Sequence, residues 1–138
     1  MSDAWSIREV SVQTGVSAHT LRYYERAGLI RIPRAANGHR RYGPAEVRWI
    51  SFLRRLHATG MPIRRMRDYA RLVWRGDSTA GDRLALLSAH RDDVVARLDE
   101  LRQNLELIET KIRTYETLSR SYEPPRATAE RARRRSGT

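Results

Sequence analysis

The sequence predicts a mainly α-helical chain: a winged helix-turn-helix domain over residues 1–75, a connector at 76–82, and one long helix over 83–122. Three observations carry that prediction. Two short, capped helical stretches are joined by a glycine turn near the N-terminus. An Asn37-Gly38 hairpin signal lies in a basic loop. An apolar heptad runs through most of the C-terminal half.

Ser6-Ile7-Arg8-Glu9 reads as a capping box, in which the serine hydroxyl accepts from the Glu9 amide and the glutamate reaches back. The helix it opens should end at Thr14-Gly15, where glycine suits a left-handed turn. Val16 then points inward, and Ser17 caps a second helix from Ala18 to about Ala27. Residues 28–43 change character. Leu29-Ile30-Arg31-Ile32 and Arg40-Arg41-Tyr42 read as two short strands of a basic wing closed at Asn37-Gly38.

Gly43-Pro44 opens a third helix with Val47, Ile50, Leu53 and Leu56 on its apolar side, ending at Gly60. Pro62 opens a fourth, with Ile63, Met66, Ala70 and Val73 on one face. Trp5, Trp49, Phe52 and Trp74 are expected to pack against the core in preference to lining a small-molecule pocket. Gly76 to Gly81 is a connector in which Ser78 or Thr79 can cap the long helix.

In the long helix one heptad set holds Leu84, Arg91, Leu98, Leu105, Ile112 and Ser119, and the other Leu87, Val94, Leu101, Ile108, Tyr115 and Tyr122. A helix of that length would extend about 58 Å. The N-terminal domain is too small to cover it, so the seam is expected to pair with a second copy in a coiled-coil homodimer. Pro124-Pro125 stops the helix, and the basic tail 123–138 has little to bury and is expected to be disordered.

Charge points to a partner. The chain carries 27 Lys+Arg against 16 Asp+Glu, a net of +11. Residues 1–75 hold 15 arginines and 5 acids, whereas 76–122 hold 7 basic and 9 acidic residues. A generic solubility charge need not segregate in this way; a protein with one nucleic-acid-binding part would. With no cysteine, disulfides, thiolate metal sites and thiol redox switches are excluded. His19, His39, His57 and His90 are dispersed without metal-ligand spacing, so no metal is expected. No nucleophile elbow, phosphate-binding glycine loop or paired carboxylates nominate a reaction, so neither an enzyme nor a cofactor is expected. The N-terminus shows no apolar signal core and no window is long enough to span a bilayer, so a cytoplasmic protein without membrane attachment is expected.

The run Thr20-Leu21-Arg22-Tyr23-Tyr24-Glu25-Arg26-Ala27-Gly28-Leu29-Ile30 closely resembles the signature of the MerR family of transcription regulators. Asn37-Gly38-His39-Arg40-Arg41-Tyr42 is similar to that family's wing, and Thr59-Gly60-Met61-Pro62-Ile63 falls where its second helix-turn-helix turns. The resemblance covers roughly residues 5–120. It implies a DNA-binding domain whose first recognition turn presents Ser17, His19 and Thr20, with Arg22 reaching a guanine edge or a phosphate. One of Tyr23 and Tyr24 should pack and the other meet a phosphate. Leu21 and Tyr24 share a face, which favours Tyr23 as the contact and leaves the choice to the structure.

In the wing Arg40 and Arg41 alternate sides, and Arg40 with Tyr42 is expected against the DNA backbone. Ile63 and Arg64 at the start of the fourth helix can hold another phosphate. Glu25 is expected to be structural, paired with an arginine, because a carboxylate facing phosphate repels it.

The resemblance further implies an antiparallel coiled-coil homodimer on an inverted-repeat operator, with Leu87, Val94, Leu98, Leu101, Leu105, Ile108, Ile112 and Tyr115 in the seam. Relatives bend and untwist double-stranded promoter DNA between widely spaced elements, so RNA polymerase is a partner only indirectly, through the promoter. An architectural protein of the same fold that bends DNA without activating transcription is the alternative. Metal- and redox-sensing relatives use cysteines that this chain lacks. Drug-sensing relatives carry an effector domain after the long helix; with about sixteen residues after Tyr122, no such domain is expected here. The small-molecule effector, if one exists, is expected to act non-covalently and is not identified by the sequence.

Overall fold

The computed structural model describes residues 4–34, 36–39 and 41–122. These fall into two units that divide between Val95 and Ala96. The first contains α1 (Ile7–Thr14), α2 (Ala18–Arg26), α3 (Pro44–Ala58) and α4 (Ile63–Trp74), a 3-10 turn at Asp77–Thr79, and the start of α5 (Ala80–Ser121).

Local chemistry sets most of these boundaries. The Ser6 hydroxyl accepts from the Glu9 amide at 3.3 Å, and the Glu9 carboxylate accepts from the Ser6 amide at 3.3 Å. Gly15 closes α1 at φ 73°, a conformation that suits a residue without Cβ. Buried Thr14 adds a staple that the sequence did not reveal: its hydroxyl donates to the Val10 carbonyl at 2.8 Å and accepts from the Val16 amide at 3.2 Å. Ser17 then caps α2 by accepting from the Thr20 amide at 3.1 Å. Pro44 begins α3 where no amide is needed, while Glu46 accepts from the Gly43 amide at 2.9 Å.

The helices meet around one core. α1 packs on α2 and α3, and α3 on α4. Val10, Val16, Leu21, Tyr24, Leu29, Ile30, Tyr42, Ile50, Leu53, Leu56, Met61 and Met66 form its buried centre. Burying a leucine- or isoleucine-sized side chain contributes about 1.5–3 kcal/mol, so this cluster supplies the main driving force of the unit. Trp49 and Tyr69 stack at 5.6 Å beside it, and Trp49 Nε1 donates to the Leu29 carbonyl at 2.8 Å. Arg31 lies 4.0 Å over the Trp74 ring. Trp5, Trp49, Phe52 and Trp74 thus make ring, backbone and core contacts.

The wing differs from the expected hairpin. Among the described residues no extended strand forms; Tyr42 is bridged to Trp5, and Arg34 occupies an isolated bridge position. Leu29 and Ile30 are drawn into the core directly after α2, and Pro33 has no amide to donate to a ladder. The Arg41 amide donates to the Pro33 carbonyl at 2.9 Å across the loop. The tip still turns as expected: Gly38 has φ 81°, and the His39 amide donates to Asn37 Oδ1 at 3.1 Å.

The connector also departs from expectation. Thr79 is buried and does not cap α5; its hydroxyl donates toward the Leu72 and Gly76 carbonyls. The helix then starts at Ala80, three residues ahead of the expected start at 83. Near its start Leu86 and Leu87 are partly buried against the core of the first unit, so part of Leu87 is already used within its own chain. His90 meets the Thr59 hydroxyl at 2.8 Å. The second unit is the remainder of α5, a helix on which Leu98, Leu101, Leu105, Ile108, Ile112 and Tyr115 are all exposed. The tail at 123–138 lies outside the described residues.

Candidate nucleic-acid interface

α2 is held by burying Leu21 and Tyr24, one helical turn apart by period. That orientation leaves Arg22 and Tyr23 outward. Tyr23 is 40% exposed and Tyr24 only 2%, so of the two tyrosines Tyr23 alone is open to a surface partner. Burial, with a smaller contribution from Tyr23, pushes the Tyr24 phenol above its ordinary pKa of 10.0, so it is a neutral packing group. Its ring meets His57 edge-on at 6.5 Å.

The first turn of α2 exposes Ser17 and His19 and half-buries Thr20. The Ser17 hydroxyl is engaged in capping and also donates to the Thr20 hydroxyl at 2.9 Å. His19 is therefore the least committed polar group of that turn.

Beside α2 a cleft of about 370 Å³ is lined by Ser6 and Ile7 at the start of α1, Arg22 of α2, and Arg34, Asn37, Gly38, His39 and Arg41 of the wing. Three guanidiniums and a histidine, one from α2 and the rest from the wing, face one space. Like-charged groups crowded in this way repel one another, and a polyanion relieves the cost. Among the described residues no acidic side chain makes an ion pair with Arg22 or Arg41.

Arg34 is the functional residue that sequence reasoning missed. Its Nη1 donates to the Gly38 carbonyl at 3.1 Å and its Nη2 to Glu25 Oε1 at 3.3 Å. Glu25 thus has the arginine partner expected for it, nine residues along the chain. A carboxylate is out of place on a DNA-facing helix, which signals a partner, but nothing local in the sequence points to which arginine answers it.

One assignment needs correction. The sequence places Tyr42 against the DNA backbone, but the residue is fully buried, its backbone paired on both sides with Trp5 through bonds of 2.7 and 2.9 Å. Strand alternation does not apply where no strand forms, and the ring fills the core. Arg40 lies outside the described residues. At the start of α4, Arg64 and Arg65 are exposed while Ile63 is half-buried against the core. Ser17, His19, Thr20, Tyr23, Ile63 and Arg64 do not line the cleft.

No helix among the described residues is long and apolar enough to cross a membrane, and no group of three or more His, Asp or Glu among them is arranged to hold a metal ion.

Comparison with known proteins agrees with the geometry. Residues 5–72 match the pattern of the MerR HTH family regulatory proteins, and residues 47–111 that of the MerR DNA-binding region. An uncharacterized HTH-type transcriptional regulator of Haemophilus influenzae is 31% identical over 113 residues, covering 81% of this chain and 84% of the relative. A MerR family transcriptional regulator of Listeria monocytogenes superposes with a TM-score of 0.78 at 38% identity, over 82% of this chain and 86% of that one. HiNmlR, a MerR family regulator lacking the sensor domain and solved bound to promoter DNA, superposes with a TM-score of 0.77 at 30% identity, over 84% of this chain and 93% of its own. The relatives are transcriptional regulators and not enzymes, and this chain belongs to the MerR family of helix-turn-helix transcription regulators.

Proposed function

We propose that the protein works as a homodimer on double-stranded promoter DNA, binding an inverted-repeat operator and distorting it. The observation that carries this reading is the cleft in which Arg22 of α2 meets Arg34, His39 and Arg41 of the wing. A helix entering the major groove and a wing lying along the adjacent backbone need their cations on a common face, because the two grooves of one duplex lie side by side. Arg22 and Tyr23, with His19 at the first turn, serve as the base- and phosphate-reaching groups of α2. Asn37, Gly38, His39 and Arg41 serve the backbone from the wing, and the Ile63 and Arg64 amides with the Arg64 side chain add a flanking phosphate contact.

The second copy is inferred from α5. Six large apolar side chains at heptad positions stand in water from Leu98 to Tyr115, and pairing with a symmetry mate is the direct way to cover them. A two-fold pair presents two symmetry-related copies of α2, which is what an inverted repeat requires. RNA polymerase enters only through the distorted promoter, and such work takes place in the cytoplasm.

The test is a footprint on the DNA upstream of the gene at near-physiological salt. A protected inverted repeat with enhanced cleavage at its centre, together with altered polymerase output in vitro, is the expected result. Uniform salt-sensitive coating, or bending without any change in transcription, would move the function to architectural binding.

A further inference from the structure

The acidic residue in the middle of the basic face needs an explanation. Glu25 lies one turn beyond Arg22 on α2, with its side chain 22% exposed. On electrostatic grounds alone it weakens any polyanion bound there. We propose that Glu25 and Arg34 form a clamp that sets the position of the wing relative to the recognition helix, with Arg34 a positioning residue whose guanidinium spans both. This rests on the reading of α2 and the wing as two contacts on one duplex.

The geometry supports the clamp in three ways. First, the two η nitrogens of Arg34 serve different elements at once, the Gly38 carbonyl at the wing tip at 3.1 Å and the Glu25 carboxylate on α2 at 3.3 Å. A planar fork can do this, and an ammonium on a flexible stem cannot hold both directions. Second, the atom held in the wing is a well-defined one. Gly38 sits at φ 81° in a turn pinned by the His39 amide on Asn37 Oδ1, so fixing its carbonyl fixes the tip. Third, no extended strand forms in the loop among the described residues, Arg34 itself holding an isolated bridge position. The Arg41 amide to Pro33 carbonyl bond and the Trp5 pairing anchor its base, and the Arg34 fork anchors its tip. Among the described residues no ion pair joins Glu25 to Arg22 or Arg41.

The clamp makes a prediction opposite in sign to simple electrostatics. Glu25→Gln removes a negative charge from a DNA-facing surface, so a solvated carboxylate would give tighter binding when neutralised. If the pair instead positions the wing, the same substitution weakens binding. The full-length protein is compared as wild type, E25Q, R34A, R34K and the E25Q/R34A double variant, by operator affinity at fixed salt, thermal melting, and hydrogen exchange of the His39 amide without DNA.

The expected result is a loss of about tenfold in affinity for E25Q, a similar loss for R34K despite its retained charge, and no further loss on adding E25Q to R34A. Melting should stay unchanged, because an exposed pair adds little stability. The His39 amide should exchange faster in E25Q. Equal or tighter binding by E25Q, or wild-type binding by R34K, would overturn the clamp and leave Arg34 a plain phosphate contact. If wild type protects no discrete site, the DNA reading falls by itself. Exchange at His39 then judges the clamp alone, faster exchange in E25Q supporting it and unchanged exchange overturning it.

Discussion

The two units of this chain solve the same problem in opposite ways. Up to Val95 the helices are short, and each hides its apolar stripe against a neighbour, so Val10, Leu21, Ile50, Leu53 and Met66 have no exposed surface. From Ala96 to Ser121 the described chain is a single helix with no buried residue, and its leucines and isoleucines stay open. The first unit carries its core within one copy. The second has the pattern of a core but only half of it, and another chain must supply the rest. A periodic apolar stripe therefore specifies that something is buried, while the number of neighbouring elements within reach decides whether the partner is internal.

The strongest way to break this comparison is truncation after Val95. If the seam is the dimer interface, removing six apolar side chains worth about 1.5–3 kcal/mol each when buried leaves a folded monomer with the near-ultraviolet signature of the intact first unit. A truncated protein that still sediments as a dimer would place the interface elsewhere.

Single substitutions sharpen the contrast. Leu53→Ala should lower the unfolding free energy of the first unit by about 2–5 kcal/mol at any protein concentration, measured by urea titration. Leu105→Ala should cost about 1–3 kcal/mol per protomer, and only where dimer is present, so its effect should grow with dilution through the dimer range. A cost independent of concentration would refute the seam assignment.

On the DNA side, Arg22→Ala should weaken operator binding by about 1–3 kcal/mol and relax base preference at one position. An equal loss on random DNA would make Arg22 a phosphate contact only.

The smallest effect concerns pH. Burial raises the Tyr24 phenol above the 10.0 at which the unfolded chain ionises, and burial also raises Tyr69, partly opposed by Arg83. The folded state thus holds its proton longer than the unfolded state. The stability this contributes is fully present below about pH 10 and is lost as pH rises through the raised value. Tyr24→Phe should make the alkaline decline of the first unit shallower. An unchanged decline would assign it to other groups.

The parts of the fold legible in the sequence were those set within about one helical turn. Ser6 with Glu9, Ser17 with Thr20, and Gly15 act on partners three or four residues away, Gly43-Pro44 opens α3, and α1, α2 and α3 begin where these residues predict. The outward placement of Arg22 and Tyr23 and the turn at Asn37-Gly38 were legible for the same reason, since they lie in contiguous motifs. Thr79 shows how this reasoning fails: a threonine ahead of a helix reads as a cap, yet it is turned inward to the Leu72 carbonyl because α4 passes beside it.

By itself, then, the sequence determined the helices, their caps, the segregation of positive charge into residues 1–75 and the unpaired apolar repeat of α5, all of which depend on local propensity and period. Only the tertiary structure decided that Tyr42 belongs to the core and not to the DNA face, that Tyr42 is bridged to Trp5, and that Glu25 is answered by Arg34. Those outcomes depend on which distant groups compete for the same buried space or the same donor. That competition is resolved when the helices pack, and one-dimensional spacing carries no record of it.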